Sequence, residues 1–577
     1  KKVNAVVSLL DKTELNLYTG DTAALTAAIQ PEDTTDPTIA WTTTDAEVAS
    51  VQNGVVTAGK TGTATITASC GEAKAQCAVT VKAPAEPAQK DGVYQIGNAD
   101  ELVWFVKKVN GGENAISAVL AKDIDLTDVI WTPIGNGSVA FAGSLDGANH
   151  TISNLHVDYA TAASGERLYL GLFGQVEGTP EKHAVIQNLT VTGSVNAASE
   201  FSVYTGYVAG VVGSARYAEL SKVISRVDVT ADERVGSTSS VGGLAGVMID
   251  TTVTNCGNEG DVTGVNNLGG LCYELYSGTM TGCYNTGRIT ATGTYVGGLM
   301  GYAKQATVTN VYNTGDVSTE KTLVGGLIGV MEKSALTNAY TTGKVTTAAA
   351  SGAIGAAVGS ADQVSNVYYL GSASAIGDEN ATAKTAEELK ALAPMLGSSF
   401  KENTGCGGYP LLVWQEARAH QYKDGVCTVC GAKDPAAPYL LDGVTDAAAE
   451  VQTGKSYQLD DLMDGKIFGV KNGTLTYKNY FYTMSSDGGA TWSGEQHFEE
   501  AMFGGVNKSL VQSKAGTYIY KFRAKNDAGY SADTWTLTLT FVDVVEANIN
   551  FYVGRDQNYS TNGNKYPILK MYKTAGI

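Results

Sequence analysis

Apolar positions along this chain come in short β-branched runs separated by Gly and Asn, and long helical patterns are almost absent. That pattern predicts strands joined by tight turns and an all-β protein. Two stretches depart from it. Asn98-Ala99-Asp100-Glu101 opens an amphipathic helix through Leu102, Phe105 and Val106, closed by Gly111-Gly112. Thr385-Ala386-Glu387-Glu388 is a capping box leading into a helix through Leu389, Leu392 and Leu396.

Between these helices the pattern repeats. Val241-Gly242-Gly243-Leu244, Leu268-Gly269-Gly270-Leu271, Val296-Gly297-Gly298-Leu299 and Val324-Gly325-Gly326-Leu327 align without gaps at a period of 27 or 28 residues. A fixed period of this length means stacked units that bury a core only together. Three short strands per turn of a right-handed parallel β-helix fit it, with equivalent residues about 4.8 Å apart along the axis.

The columns this stacking creates are physically sensible. Val262, Ile289, Val317 and Val345 make one apolar column, and Val253, Met280, Val308 and Leu336 another. Asn258, Asn285 and Asn313 can form an amide ladder, as can Asn310, Asn338 and Asn366. Asp261, Arg288, Asp316 and Lys344 alternate in sign, and Lys304 over Glu332 repeats the device. Exposed pairs of this kind contribute about 0–1 kcal/mol each. Weaker copies at Ile152-Ser153-Asn154-Leu155, Ile186-Gln187-Asn188-Leu189 and Ile224-Ser225-Arg226-Val227 extend the solenoid toward the N-terminus. Their longer loops, around 158–168, 177–184 and 197–206, are natural places for specificity. Both helices are expected to cap the solenoid, which then runs over 91–414.

Residues 1–83 carry about seven short strands at roughly ten-residue spacing, with Trp41 expected in the core of a β-sandwich. The runs Ile39-Ala40-Trp41-Thr42, Gly54-Val55-Val56-Thr57 and Gly62-Thr63-Ala64-Thr65-Ile66, in this order, resemble the bacterial immunoglobulin-like domain of group 2. The resemblance implies a spacer or adhesive stalk unit. A Pro-containing linker follows at 84–90. The Gly-Gly-Leu segments, the Tyr284-Asn285-Thr286-Gly287 and Tyr312-Asn313-Thr314-Gly315 corners, and Gly408-Tyr409-Pro410-Leu411-Leu412 resemble the GLUG repeats of bacterial surface proteins. That likeness implies surface binding without naming a ligand. GLUG repeats occur in adhesins and in non-catalytic parts of immunoglobulin-cleaving peptidases. Residues 415–437 read as a Cys/His connector and 438–543 as a second immunoglobulin-like sandwich. Within it Ser485-Ser486-Asp487-Gly488-Gly489-Ala490-Thr491-Trp492 matches an Asp-box turn, expected here to be structural. Residues 544–577, with the strand-like run 548–553, read as the start of a further, truncated module. The chain is therefore expected to be a fragment of a longer exported protein.

Composition narrows the function. Net charge is −18 with no Lys/Arg cluster in sequence, so no basic face for nucleic acid or anionic lipid is foreseen. No apolar run reaches the roughly 18 residues of a membrane span. An extracellular or cell-surface, monomeric protein is expected.

Cys70 and Cys77 flank an expected hairpin tip, so a cross-strand disulfide is foreseen. His420, Cys427 and Cys430 resemble half of a structural zinc site, and Cys406 is the remaining nearby Cys that can complete it. The other reading, a disulfide-like clip or thiols without metal in a short connector, is the one these residues alone favour.

No nucleophile elbow, P-loop or His-Glu metalloprotease motif is present, and the five His are scattered. A β-helix polysaccharide lyase or hydrolase would need paired carboxylates, and Arg288 lies between Asp261 and Asp316. The expectation is thus a non-catalytic binding protein. Tyr273, Tyr276, Tyr295 and Tyr302 are candidate ligand contacts, against the blander reading that they fill coil corners. The ligand would be a host glycan or a host protein such as an immunoglobulin. A purely structural stalk is the remaining alternative.

Overall fold

A computed structural model describes residues 6–30, 38–159, 167–198, 205–233, 235, 239–373, 376–459, 466–471, 475, 479–497, 509–546 and 572–574. It divides into two compact units, residues 1–402 with 409–416, and residues 403–408 with 417–577.

The first unit begins with a sandwich. Strands Glu14–Tyr18, Ala73–Lys82, Gly62–Cys70 and Ala40–Thr43 form one sheet, and Thr22–Ala24, Val55–Ala58 and Ala49–Gln52 the other. Leu17, Val56, Ile66 and Val79 fill its core. Trp41 is not at the centre as expected. Its short strand is the edge of the sheet, so the indole packs on the rim and stays half-buried.

The foreseen Cys70–Cys77 disulfide is not formed. The hairpin turns at Gly71-Glu72, so Cys70 pairs across the strands with Ala73 and Cys77 with Ile66. Four residues along a strand separate the thiols by roughly 13 Å, too far to bridge. Both side chains are buried in the sandwich core instead. The expected linker is also partly structured, because Ala88–Lys90 pairs with Val93–Ile96.

The solenoid is a parallel β-helix of three sheets, one of twenty strands and two of seven. A representative coil runs from Val324–Gly325 in the second sheet through Ile328–Glu332 in the third, then Ala335–Thr341 and Val345–Thr347 in the first. Register sets each residue on its equivalent in the next coil. Val262, Ile289, Val317 and Val345 pair in succession, as do Val253, Met280, Val308 and Leu336. Both columns are buried.

Both amide ladders form. Inside the core, Asn258 Nδ2 donates to Asn285 Oδ1 and Asn285 Nδ2 to Asn313 Oδ1, each at 2.8 Å. At the corner, Asn338 donates to Asn310 at 3.2 Å and Asn366 to Asn338 at 2.6 Å. These corner residues have φ of 54–55°, a left-handed bend that Asn tolerates better than most residues. The charge columns form ion pairs in part, with Arg288 3.2 Å from Asp261 and Lys304 3.8 Å from Glu332, while Asp316 makes no ion pair among the described residues. The carboxylates also serve the backbone. Asp261 accepts the backbone N–H of Arg288, and Asp316 that of Lys344, each at 2.8 Å.

Helix α1, Ala99–Asn110, is capped by Asn98 and adds Leu102, Phe105, Val106 and Val109 to the solenoid core, as expected. At the other end the capping box of α2, Ala386–Lys390, forms through Thr385 and Glu388. This segment does not simply close the last coil, however. With α3, Ala393–Leu396, and the paired strands Phe400–Lys401 and Leu411–Leu412, it packs on the side of the first sheet. There Tyr284, Tyr312, Tyr340 and Tyr368 form an outward ladder with successive rings 5.1–5.4 Å apart where they stack. An outward column of four large rings needs a cover, and Leu389, Leu392, Leu396, Phe400 and Leu412 supply it.

In the second unit, strands Ala447–Gln452, Trp535–Val542, Gly516–Asn526, Tyr480–Ser485 and Gln496–His497 form a sheet in that order. Tyr480, Tyr520, Phe522, Trp535, Leu537 and Leu539 form its core. The Asp-box segment is a self-satisfied turn: Ser485 donates to Asp487 at 2.7 Å and Asp487 accepts Thr491 N–H at 2.9 Å. Near the C-terminus Val544–Glu546 pairs with Tyr572–Thr574, while the run 548–553 lies outside the described residues.

Candidate functional site

Two places gather chemistry-bearing residues. The first is the outer surface of the third solenoid sheet. Each strand there carries an inward residue, a position skipped by the pairing, and then an outward one. The inward residues are Phe173, Val212, Ala245, Cys272, Met300, Ile328 and Val358, and pairing resumes two residues later. The skipped position is Gly174, Gly213, Gly246, Gly301, Gly329 and Gly359 in six coils, and Tyr273 in the seventh. The glycines have a steric cause. A Cβ at Gly246, Gly329 or Gly359 would lie 2.5–2.6 Å from a carbonyl oxygen of the preceding coil. Tyr273 breaks a column that packing reserves for glycine, and its ring leans over Gly301, where a Cβ would be 2.9 Å from it.

The four tyrosines singled out from sequence share this surface. Tyr273 and Tyr295 meet edge to face at 6.4 Å, and Tyr295 and Tyr302 at 6.0 Å. Tyr276 joins them through Lys304, whose Nζ lies 5.8 Å from the Tyr276 ring and 6.0 Å from that of Tyr302. All four rings are partly exposed. Three residues not foreseen as contacts complete the surface: Glu274, Lys304 and Glu332. Tyr302 donates to Glu332. Burial pushes the Glu274 carboxyl up, with Lys304 opposing. Burial and then Glu274 raise the Tyr273 hydroxyl. The spacing of the repeats carries the signal for them, since Glu274, Tyr276, Lys304 and Glu332 occupy the two outward columns on the strands beside Tyr273.

The longer loops fare differently. Most of 158–168 and 197–206 lies outside the described residues. At 177–184 the chain closes a turn in which Thr179 and Lys182 exchange backbone hydrogen bonds. Cys256, Cys272 and Cys283 are core residues of the solenoid.

The second place is the connector. Cys406, His420, Cys427 and Cys430 converge, with their ligand atoms all within 4.8 Å of one another. Cys406 Sγ is 3.6 Å from Cys427 Sγ, and Cys430 Sγ is 3.4 Å from His420 Nδ1. Zinc bonds of about 2.3 Å to sulfur and about 2.0 Å to nitrogen set tetrahedral ligand atoms roughly 3.5–3.8 Å apart, so these residues fit a metal such as zinc. The backbone is shaped for it. Tyr422–Lys423 and Val426–Cys427 form a hairpin over Asp424-Gly425, and the knuckle closes through Gly431 N–H to Cys427 O at 2.9 Å. Cys406 is held by its N–H to Arg418 O at 2.8 Å. Burial opposes ionisation of Cys427. Backbone N–H groups of Cys430 and Val429, with His420, outweigh it and bring the thiol down to about 5. Burial and the neighbouring thiols push Cys406 up to about 12. Cys430 is lowered by hydrogen bonds that outweigh its own burial.

The sequence profile of the bacterial Ig-like domain (group 2) matches residues 8–81, as the first module led one to expect. The chain is also similar to an uncharacterized protein of Clostridium acetobutylicum, 29% identical over 136 residues, which are 22% of this chain and 13% of that protein. Halomucin of Haloquadratum walsbyi is 31% identical over 145 residues, 23% of this chain and 1% of its own. The matched stretches thus span only a small part of these relatives. Among solved structures, an IgA1 protease aligns over 57% of this chain and 23% of its own, at 16% identity and a TM-score of 0.31. The Ig-like domain and the likeness to halomucin point to a protein of surface or adhesion type. Among the described residues no helix is long and apolar enough to cross a membrane.

Proposed function

We propose that this is a non-catalytic binding protein of the cell surface or extracellular space, and that its third-sheet tyrosine surface engages a host glycan. Tyr273 carries the reading. It stands where six other coils need glycine, so packing gives no reason for a large side chain there. Local rules broken without a structural gain mark functional positions. Partly exposed rings with carboxylates at their edges suit sugars, whose C–H faces stack on aromatics and whose hydroxyls donate to carboxylates. The repeats' resemblance to GLUG repeats agrees with surface binding. The absence of catalysis is supported by the solenoid carboxylates, since Asp261 and Asp316 are engaged by backbone N–H groups of the next coil.

A glycan array probed with the wild-type chain and with Tyr273→Gly and Tyr302→Ala tests this reading. Signal on specific glycans that both substitutions abolish is expected. Glycan binding that survives both rejects the tyrosine surface. A blank array with capture of immunoglobulin from serum moves the ligand to a protein.

We also propose that Cys406, His420, Cys427 and Cys430 hold a structural zinc. Zinc would tie 403–408 to the knuckle and supply folding energy to a connector with little core of its own. The purified chain is expected to contain one zinc, lost in Cys406→Ser and in Cys427→Ser. Zinc content unchanged by Cys406→Ser overturns this ligand set.

A further inference from the structure

The second unit carries a surface that the acidity of the chain makes unexpected. On the outward face of Gly516–Asn526, alternate positions are Lys521, Arg523 and Lys525. Each cation lies over an aromatic ring. Lys521 Nζ is 4.5 Å from the ring centre of Trp492, Arg523 Cζ is 4.3 Å from Tyr530, and Lys525 Nζ is 4.6 Å from Tyr530 and 6.0 Å from Phe481. Phe481 pairs across the sheet with Arg523 and packs at 5.6 Å on Tyr530. Trp492 presents its exposed ring beside the Asp-box turn, which fixes it through Nε1–H to Gly489 O at 3.1 Å.

Three cations on one strand face are not a solvated accident here. Arg523 is held by Glu495 at 3.1 Å, and Tyr530 donates to the same carboxylate at 2.6 Å. Lys521 and Lys525 make no ion pair among the described residues. In a chain of net charge −18, distant charge repels polyanions, so any attraction must come from a local cationic patch of this kind. The patch runs roughly 13 Å along the strand, and the rings offer flat apolar surface between the charges.

We propose that this face binds an acidic polysaccharide, one bearing sulfate or uronic-acid groups. Arg523 and the two lysines meet the anionic groups, while Trp492 and Tyr530 stack on the sugar rings. The assignment needs the extracellular setting proposed above but not the tyrosine surface of the solenoid, which is a separate site.

Heparin and polygalacturonate, immobilised, are the probes for the full chain. Binding that weakens with added salt is expected. Lys521→Gln/Arg523→Gln/Lys525→Gln should weaken it by roughly tenfold or more, with an unchanged unfolding transition. Lys521→Gln/Lys525→Gln keeps the Arg523–Glu495 pair and should show most of that loss, which guards against a fold defect. Lys60→Gln/Lys74→Gln, exposed lysines of the first module, is the charge-matched control and should bind normally. Equal loss in that control, or no binding of either probe by the wild-type chain, overturns the proposal. So does tighter binding to a single-stranded oligonucleotide, because cations interleaved with rings also suit bases. Neutral glycans on the same array report the solenoid tyrosines, so the two readings fail separately.

Discussion

Two groups of tyrosines in the same solenoid have opposite fates. Tyr284, Tyr312, Tyr340 and Tyr368 repeat coil after coil on the first sheet, the first three stacked nearly parallel, and disappear beneath residues 385–414. Tyr273, Tyr276, Tyr295 and Tyr302 do not recur from coil to coil, meet edge to face where their rings touch, and stay partly exposed. Repetition is the discriminating feature. A residue demanded by stacking recurs in successive coils, and even the position before them adapts: Gly257, one coil before Tyr284, leaves room for that ring, which a Cβ would approach to 2.3 Å. A residue that interrupts a column answers to something other than stacking.

The largest effect that tests this contrast is in the covered ladder. Tyr340 is fully buried between Tyr312 and Phe400, and its hydroxyl donates to Pro410 O at 2.5 Å. Tyr340→Ala should cost about 3–5 kcal/mol in denaturant unfolding, the usual range for emptying a buried aromatic site. Tyr340→Phe should cost about 1 kcal/mol, the hydrogen bond alone. A Tyr340→Ala variant within about 1 kcal/mol of wild type would mean that residues 385–414 do not depend on the ladder.

A smaller effect is expected at the interruption. Tyr273→Gly restores the column, so stability should move by no more than about 1 kcal/mol in either direction. Glycan binding should fall at the same time. Stability gained while binding is lost is the signature of a functional residue placed against packing. A large loss of stability would instead make Tyr273 a corner filler.

The same contrast explains what was legible in the sequence. Columns were readable because a period of 27 or 28 residues puts like on like, and both amide ladders and the alternating charges followed from spacing alone. Contacts between repeating and non-repeating segments were not. Nothing in spacing says that Leu389 or Phe400 lies over Tyr340, whereas Cys406 was named beside His420, Cys427 and Cys430 as the nearby Cys that could complete their set, and it does converge with them. The Cys70–Cys77 expectation failed for a related reason. It assumed a six-residue tip, whereas Gly71-Glu72 turns in two, and that difference carries Cys77 four residues down the strand. The cationic face was missed because its residues alternate along one strand and gain their aromatic partners only from other elements.

The smallest effect concerns the charges that border the exposed tyrosines. The Tyr302 hydroxyl bond, followed by the field of Lys304, holds the Glu332 carboxyl below its ordinary value, although desolvation opposes them. A carboxylate depressed in the folded state stabilises it above the unfolded value of about 4.3 and loses that contribution as pH falls through the folded value. The wild-type chain should therefore lose more thermal stability than Glu332→Gln as the pH drops below about 4.3, and hold a slight advantage near neutrality. Both side chains of the Lys304–Glu332 pair are partly exposed, so salt should shrink the difference. Identical acid profiles would mean that Tyr302 is not oriented by Glu332. Its ring would then be free to turn, and the surface would lack the fixed geometry that distinguishes it from scattered exposed tyrosines.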